Sequence, residues 1–335
     1  MERELLDLLL NEISVTGEEY ALQEKLEAHM APYTDVVCKD AIGDGVYGLE
    51  GTGKKILFSA HIDEIGLMVS GYTSDGFLKV TNAGGIQART YPGHTVKILS
   101  EGKGLIYGSV VNNPKAQKNT DFSVKNLLVD IGAKDKEEAE KVCSIGDRIV
   151  QDTTVRSLLN DRIAARGLDD RSGVFTIMEA LKRAKDHTEN TILCAATVGE
   201  EVGAHGAKWV AERMHPDEAI VVDVTYVADT DGMADEAWGD VKLGEGPVIL
   251  INPMCDRNMV KTLRKLAKDN DIPCQLEICG GRSCTDGDQI HLAGEGIPTA
   301  LVSIPLRYMH TPSEVADEKD LENVIRLLSL YMQEA

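Results

Sequence analysis

Long apolar runs are missing from this chain. No stretch approaches the ~20 residues that a membrane-spanning helix requires, which excludes a helical membrane protein. Bases are scarce: 35 Lys and Arg stand against 55 Asp and Glu, for a net charge of −20. A surface this acidic repels phosphate backbones and anionic headgroups and attracts cations. Nucleic acid and the membrane surface are therefore excluded as expected partners. Cysteines number seven, an odd count, with no Cys-x-x-Cys pair. Cys274, Cys279 and Cys284 lie five apart, which fits no zinc knuckle and no disulfide framework. They are expected as free thiols in a reducing compartment. Aromatics make up 4%, with two Trp, leaving few platforms for stacking a sugar ring. The opening Met1-Glu2-Arg3-Glu4-Leu5-Leu6-Asp7 carries acids where a signal peptide carries bases, so a cytoplasmic protein is expected.

What is present is enough for a large core. Hydrophobic residues reach 43% of 335, which argues against disorder and for about two domains, or one domain with an insertion. Leu5, Leu6, Leu9, Leu10 and Ile13 recur at helical spacing, and Thr16-x-x-Glu19 reads as a capping box ahead of a second helix. From about Leu67 to Val155 the texture changes to short apolar runs separated by Gly, Ser, Asn and Pro, the signature of a small β-rich module. From Gly173 strands and helices alternate: a helix to Lys185, a strand at 191–198, a helix from Ala204 to Met214 and a strand at 219–224. A helix from Asn258 to Asp269, a strand at 299–304 and a terminal helix from Asp317 complete the pattern. That alternation predicts an α/β fold with a mainly parallel sheet flanked by helices. The expected division is a catalytic domain of residues 1–66 and 156–335, interrupted by an inserted β-barrel-like domain of residues 67–155.

Acids and histidines follow the apolar runs in order: His61-Ile62-Asp63, Asp169-Asp170-Arg171, Glu200-Glu201, Asp223 and His310. Carboxyl ends of parallel strands converge on one crevice, so these groups are expected on a single rim. His-x-Asp alone is weak, although its imidazole could bind a metal while Asp63 orients the ring. Asp169-Asp170 alone could be a helix cap. Glu200-Glu201 is more specific, because adjacent buried carboxylates repel unless a cation or proton separates them. One could bind metal while the other serves as general base. With Asp169, Glu201 and Asp223 as ligands, three negative charges face four positive ones from two divalent ions. A bridging hydroxide would cancel the surplus. Adding Asp63 as a ligand would remove that surplus, which places Asp63 behind the metal-binding groups.

These motifs, with Thr285-Asp286 and Arg307-Tyr308-Met309-His310-Thr311-Pro312, resemble those of the M42 metallopeptidases. The resemblance runs the length of the chain. It implies a zinc-peptidase-like fold with a β domain inserted after the first His-x-Asp. His61, Asp169 and Asp223 would hold one metal ion, and Asp169, Glu201 and His310 the other, with Asp169 bridging. Zinc or cobalt is implied, with manganese an alternative, and Glu200 would activate the metal-bridging water. The same resemblance implies peptide substrates cleaved at the N-terminus and a homo-oligomer, the tetrahedral dodecamer with sites facing an inner chamber. Two departures stand out. Gly199 replaces a Gln common before the Glu pair, and the loop Gly280 to Asp286 carries extra residues near the substrate pocket.

Other readings compete. An endoglucanase-type glycoside hydrolase would need carboxylates about 5–10 Å apart on opposite sides of a sugar, which adjacent Glu200 and Glu201 fit poorly. A related di-metal amidohydrolase or deacylase differs in tolerating a blocked amino terminus. A noncatalytic scaffold would have no use for Glu200. Arg282, from its place in the loop alone, is expected to reach the pocket and favour acidic N-terminal residues.

Overall fold

The computed structural model describes residues 3–112, 116, 120–229 and 240–334; Met1 and Glu2, part of the leader reading, lie outside them. The chain opens with α1 (Arg3–Asn11) and α2 (Tyr20–Met30), followed by strands β1 (Val36–Lys39), β2 (Gly45–Leu49) and β3 (Lys55–His61). It then enters a closed six-stranded barrel built from β4 (Gly66–Tyr72), β5 (Leu78–Ala83), β6 (Thr95–Ser100), β7 (Gly104–Asn112), β8 (Leu127–Asp130) and β9 (Arg148–Gln151). A short helix, α3 (Lys136–Glu140), precedes β9. The chain returns through β10 (Arg156–Ser157), β11 (Arg162–Ala165), α4 (Leu168–Ala184), β12 (Thr191–Thr197), α5 (His205–Met214) and β13 (Glu218–Tyr226). It ends with β14 (Val248–Ile251), α6 (Arg257–Asp269), β15 (Gln275–Ile278), α7 (Gly287–Ile290), β16 (Thr299–Leu306), β17 (Glu314–Asp317) and α8 (Glu318–Glu334).

The main sheet has eight strands in the order β1-β2-β12-β3-β13-β16-β14-β15. It is mixed, which corrects the expectation of a mainly parallel sheet. The four central strands β12, β3, β13 and β16 run parallel, whereas β2 pairs antiparallel to β12 and β14 antiparallel to β16. The reason lies in the connections. Helical crossovers separate central strands that run in one direction, while β2 enters β3 through residues 50–54 with no helix between, and that short connection reverses the chain.

Alternation along the central strands divides the core. Ile56, Phe58 and Ala60 of β3, with Ile220, Val222 and Val224 of β13, face the large cluster made with α1, α2, α4, α6 and α8. Leu57 of β3 and Ala219 and Val221 of β13 face the opposite side, beneath α5 and α7. By the two-residue period of a strand, His61 and Asp223 project from this second face. There the cover is a ten-residue helix and a four-residue helix, so the carboxyl ends of the strands remain open as a cleft. The barrel has its own core, including Leu67, Val80, Ile98, Val110, Val129 and Ile149.

The capping box did not form as read. Glu19 precedes α2, but its carboxylate accepts from Gly17 N at 2.7 Å and gives no side-chain cap. Thr16 is drawn instead into main-chain pairing with Glu64 at 3.1 Å. Tertiary pairing at the barrel junction overrides the local motif.

Candidate metal centre and substrate cleft

His61 is the last residue of β3, and its ring is oriented from the sequence next door. Nδ1 lies 3.0 Å from the Asp63 carbonyl oxygen, which accepts its proton and leaves Nε2 facing Asp169 Oδ1 at 3.1 Å. His310 repeats the device. Its Nδ1 donates to the Gly85 carbonyl at 2.8 Å, and Nε2 lies 3.1 Å from Asp169 Oδ2 and 3.4 Å from Glu201 Oε1. Asp169 thus sits between two imidazoles, one on each carboxylate oxygen. Its backbone, like that of Asp170, departs from helical geometry at the mouth of α4, and the peptide bond between them is cis. Asp170 is the residue that serves the helix, accepting from Gly173 N at 3.1 Å while its other oxygen receives His61 N at 3.3 Å.

Asp223 joins the cluster from within β13 rather than from beyond its end, opposite Ser303 of β16. Ligand atoms of His61, Asp169 and Asp223 lie within 4.8 Å of one another, as do those of Asp169, Glu201 and His310. The five expected metal-binding residues are therefore brought together in two groups sharing Asp169. Glu200 belongs to neither group; its carboxylate reaches to 4.0 Å from His61 Nε2. Asp63 is fully buried, and its carboxylate accepts the Glu200 and Glu201 main-chain N–H groups at 3.2 and 3.4 Å. It fixes the turn that presents the glutamate pair, as well as supporting His61 through its carbonyl.

Several supporting groups gave no sign of their roles in the sequence. Glu314, buried on β17, accepts from Asp169 N at 3.2 Å and His310 N at 2.9 Å, tying two distant segments together. Asp286 is buried beneath the cluster and accepts from Ser59 Oγ at 3.0 Å and from the Thr197 hydroxyl. Glu64 is held by Arg166 and Arg171, and Arg171 also donates to the carbonyls of Leu9 and Glu12. Gly199 has φ +69°, and a Cβ there would lie 1.9 Å from the His205 ring. The space that a side chain at this position would need is filled by His205, which gives this departure a physical basis. Arg282 does reach the cleft, but its Nε is bound to Asp288 Oδ2 at 3.0 Å, so its charge is already paired.

The electrostatics of the cluster favour cations. Burial pushes Glu200 up to about 10 and Glu201 to about 7, and drives Asp170, Asp223 and Glu314 well above the ordinary carboxylate range. Burial also opposes ionisation of Asp169, but hydrogen bonds from His310 and His61 outweigh it and hold its carboxyl low. Both imidazoles are raised despite their burial, chiefly by Asp169; His310 reaches about 9. A buried excess of carboxylates this large needs compensating positive charge. The donor set of carboxylate oxygens and imidazole Nε2 atoms suits zinc, cobalt or manganese, and both rings have their second nitrogen fixed by a carbonyl. The residues fit divalent metal ions.

Beside the cluster opens a cleft of about 780 Å³, walled by Val224, Thr225, Tyr226, Glu277, Leu301 and Met309, among others. An α/β domain with an inserted barrel thus carries, at its strand ends, a carboxylate–imidazole cluster of the kind a metallohydrolase requires. The chain matches the model of the M42 glutamyl aminopeptidase family over residues 43–327. It is 30% identical to the lysyl aminopeptidase of Pyrococcus furiosus, over 99% of this chain and 96% of that one. The crystal structure of a TET aminopeptidase from a marine sediment thaumarchaeon superposes with a TM-score of 0.93 at 30% identity, covering 99% and 95% of the two chains. The TET1 peptidase of Pyrococcus horikoshii, which can assemble into a tetrahedron or a large octahedral shell, gives 0.88 at 31% identity over 99% of each chain. This chain belongs to the M42 family of metal-dependent aminopeptidases.

Proposed function

We propose that this protein removes N-terminal residues from peptides at a centre of two divalent metal ions. His61, Asp169 and Asp223 hold one ion, Asp169, Glu201 and His310 the other, and zinc, cobalt or manganese suits both. The observation that carries the reading is the pair of ligand groups, each within 4.8 Å, sharing Asp169. Divalent ions held by these residues would supply Lewis-acid polarisation of the scissile carbonyl and would lower the pKa of a bound water. Glu200 is the general base: outside both ligand groups and facing the same space, its carboxyl would be brought down from its raised value by the bound cations, so that it accepts a proton and returns it to the leaving nitrogen. Asp63 keeps Glu200 and Glu201 in place through their main-chain N–H groups and fixes the His61 tautomer.

The chain is read as two parts: a catalytic domain of residues 1–66 and 156–335, and an inserted barrel of residues 67–155 that serves assembly. Leu99 and Leu105 pair across β6 and β7, with Tyr107 on the same face, and all three are exposed. An apolar strip of that kind on a barrel wall suits burial against another copy. The assembly capacity of the Pyrococcus horikoshii relative supports a closed shell, the dodecamer being the expected form. No helix among the described residues is long and apolar enough to cross a membrane. Free cysteines support a reducing, cytoplasmic setting.

Aminoacyl-p-nitroanilides, free and N-acetylated, test the reading with and without EDTA. Hydrolysis of the free substrates only, abolished by chelation and restored by zinc, cobalt or manganese, is expected. Activity on blocked substrates would favour a deacylase instead, and chelator-resistant cleavage of a β-glucan a glycosidase.

A further inference from the structure

The cleft holds charged side chains beyond the metal-binding cluster, and they do not balance. Arg282 and Asp288 neutralise each other at 3.0 Å, with the Asp288 carboxylate also accepting from Ser283 N at 2.9 Å and Cys284 N at 3.0 Å. Glu277 has no such counterpart. Among the described residues its carboxylate accepts only the Thr225 hydroxyl, at 2.8 Å, and forms no ion pair. It stands half-buried on β15 in an otherwise largely apolar wall.

Its position relative to the chemistry follows from the strand. Thr225 lies two residues beyond Asp223 on β13, hence on the same face, a step of about 6.6–6.8 Å. Glu277 extends one hydrogen bond further out from Thr225. A lysine or arginine whose α-amino group lay at the cluster would lead its side chain along Leu250, Leu301 and Met309, which also line the cleft. Long basic side chains pack their methylene stems on apolar surface while keeping a charged head at a polar partner. Resting on the aminopeptidase reading above, we infer that Glu277 is the specificity-determining anion of the cleft, selecting peptides with a basic N-terminal residue. Burial raises the Glu277 carboxyl above its usual range, and an incoming ammonium or guanidinium would relieve that cost. The overall charge of −20 also draws such substrates toward the protein.

The test compares kcat/KM of the metal-loaded protein for lysyl-, arginyl-, leucyl- and glutamyl-p-nitroanilide in wild type, E277Q and R282A. In parallel, inhibition by free lysine is compared with that by norleucine, which has the same stem without the ammonium. Expected are a lysyl-to-leucyl ratio above one in wild type and at least a tenfold fall of that ratio in E277Q. Lysine should inhibit wild type more strongly than norleucine, with the difference lost in E277Q. An unchanged ratio in E277Q overturns the proposal, as does a preference for glutamyl substrates that R282A abolishes. Either result leaves the aminopeptidase reading standing. Failure of wild type to cleave any of the four would sink both.

Discussion

Replacing Glu200 by Gln is expected to separate proton transfer from metal binding, because the proposed function gives these roles to different residues. Glu200 contributes to neither ligand group, its main-chain N–H is held by Asp63 at 3.2 Å, and Gln has the same shape. The substitution removes one carboxylate able to accept a proton and leaves the five ligand-bearing side chains untouched. Loss of a positioned general base costs about 10²–10⁴ in rate, or about 2.7–5.4 kcal/mol in the barrier at 1.36 kcal/mol per tenfold. KM should change little, since the cleft walls stay intact. The assay is kcat on an aminoacyl-p-nitroanilide beside metal content by mass spectrometry, with E201Q for contrast; E201Q removes a ligand and should lose metal. Near-normal turnover in E200Q with its metals retained would refute the assignment of the base. Loss of metal in E200Q would make Glu200 a ligand and redraw the centre.

Two other perturbations probe the surroundings. Gly85→Ala places a Cβ 3.2 Å from His310 Nδ1, which displaces the ring that the Gly85 carbonyl orients. Metal affinity, titrated against a competing chelator, should weaken by about 10–100-fold with little change in folding, and unaltered affinity would mean the carbonyl contact is incidental. Asp44 tests pH dependence of stability. It accepts Val198 N at 2.8 Å, and burial, followed by the neighbouring Asp40, raises its carboxyl from 3.8 to about 9. The folded protein keeps a proton on Asp44 that the unfolded chain releases, so the contribution of this group is fully present below about pH 4 and is lost as the pH rises toward 9. Asp44→Asn lacks that decline and should melt about 2 °C or more above wild type at pH 8, with the gap narrowing toward pH 5. A gap independent of pH would show that Asp44 is ionised in the fold.

The parts of the centre legible in the chain were those carried by charge against an apolar background. Glu200-Glu201 follows a buried run without a charged residue, and Asp223 interrupts the buried apolar run from Ala219 to Val224. Such placements are costly without a partner, so the residue type itself reports the site. Glu314 gave no comparable sign and Asp286 showed only within the Thr285-Asp286 motif, because each works through hydrogen bonds to main chain or hydroxyls that arrive from distant segments. Asp63 was legible as a neighbour of His61, but its hold on the Glu200 and Glu201 N–H groups depends on β3 and β12 lying side by side. Thr16 and Glu19 failed in the opposite direction. A sound local motif gave way to strand-like pairing with Glu64, worth more because it also closes the junction with the barrel.

The order of elements, the change of texture across the barrel and the identity of the five ligand candidates were determined by the amino-acid sequence, since periodicity and buried charge are local properties. The direction of the outer strands, the opening of the cleft beneath two short helices, and the pairing of Arg282 with Asp288 that leaves Glu277 uncompensated were decided only by tertiary structure. Those features depend on which distant segments become neighbours, and a charge is free or spent only once its neighbours are in place.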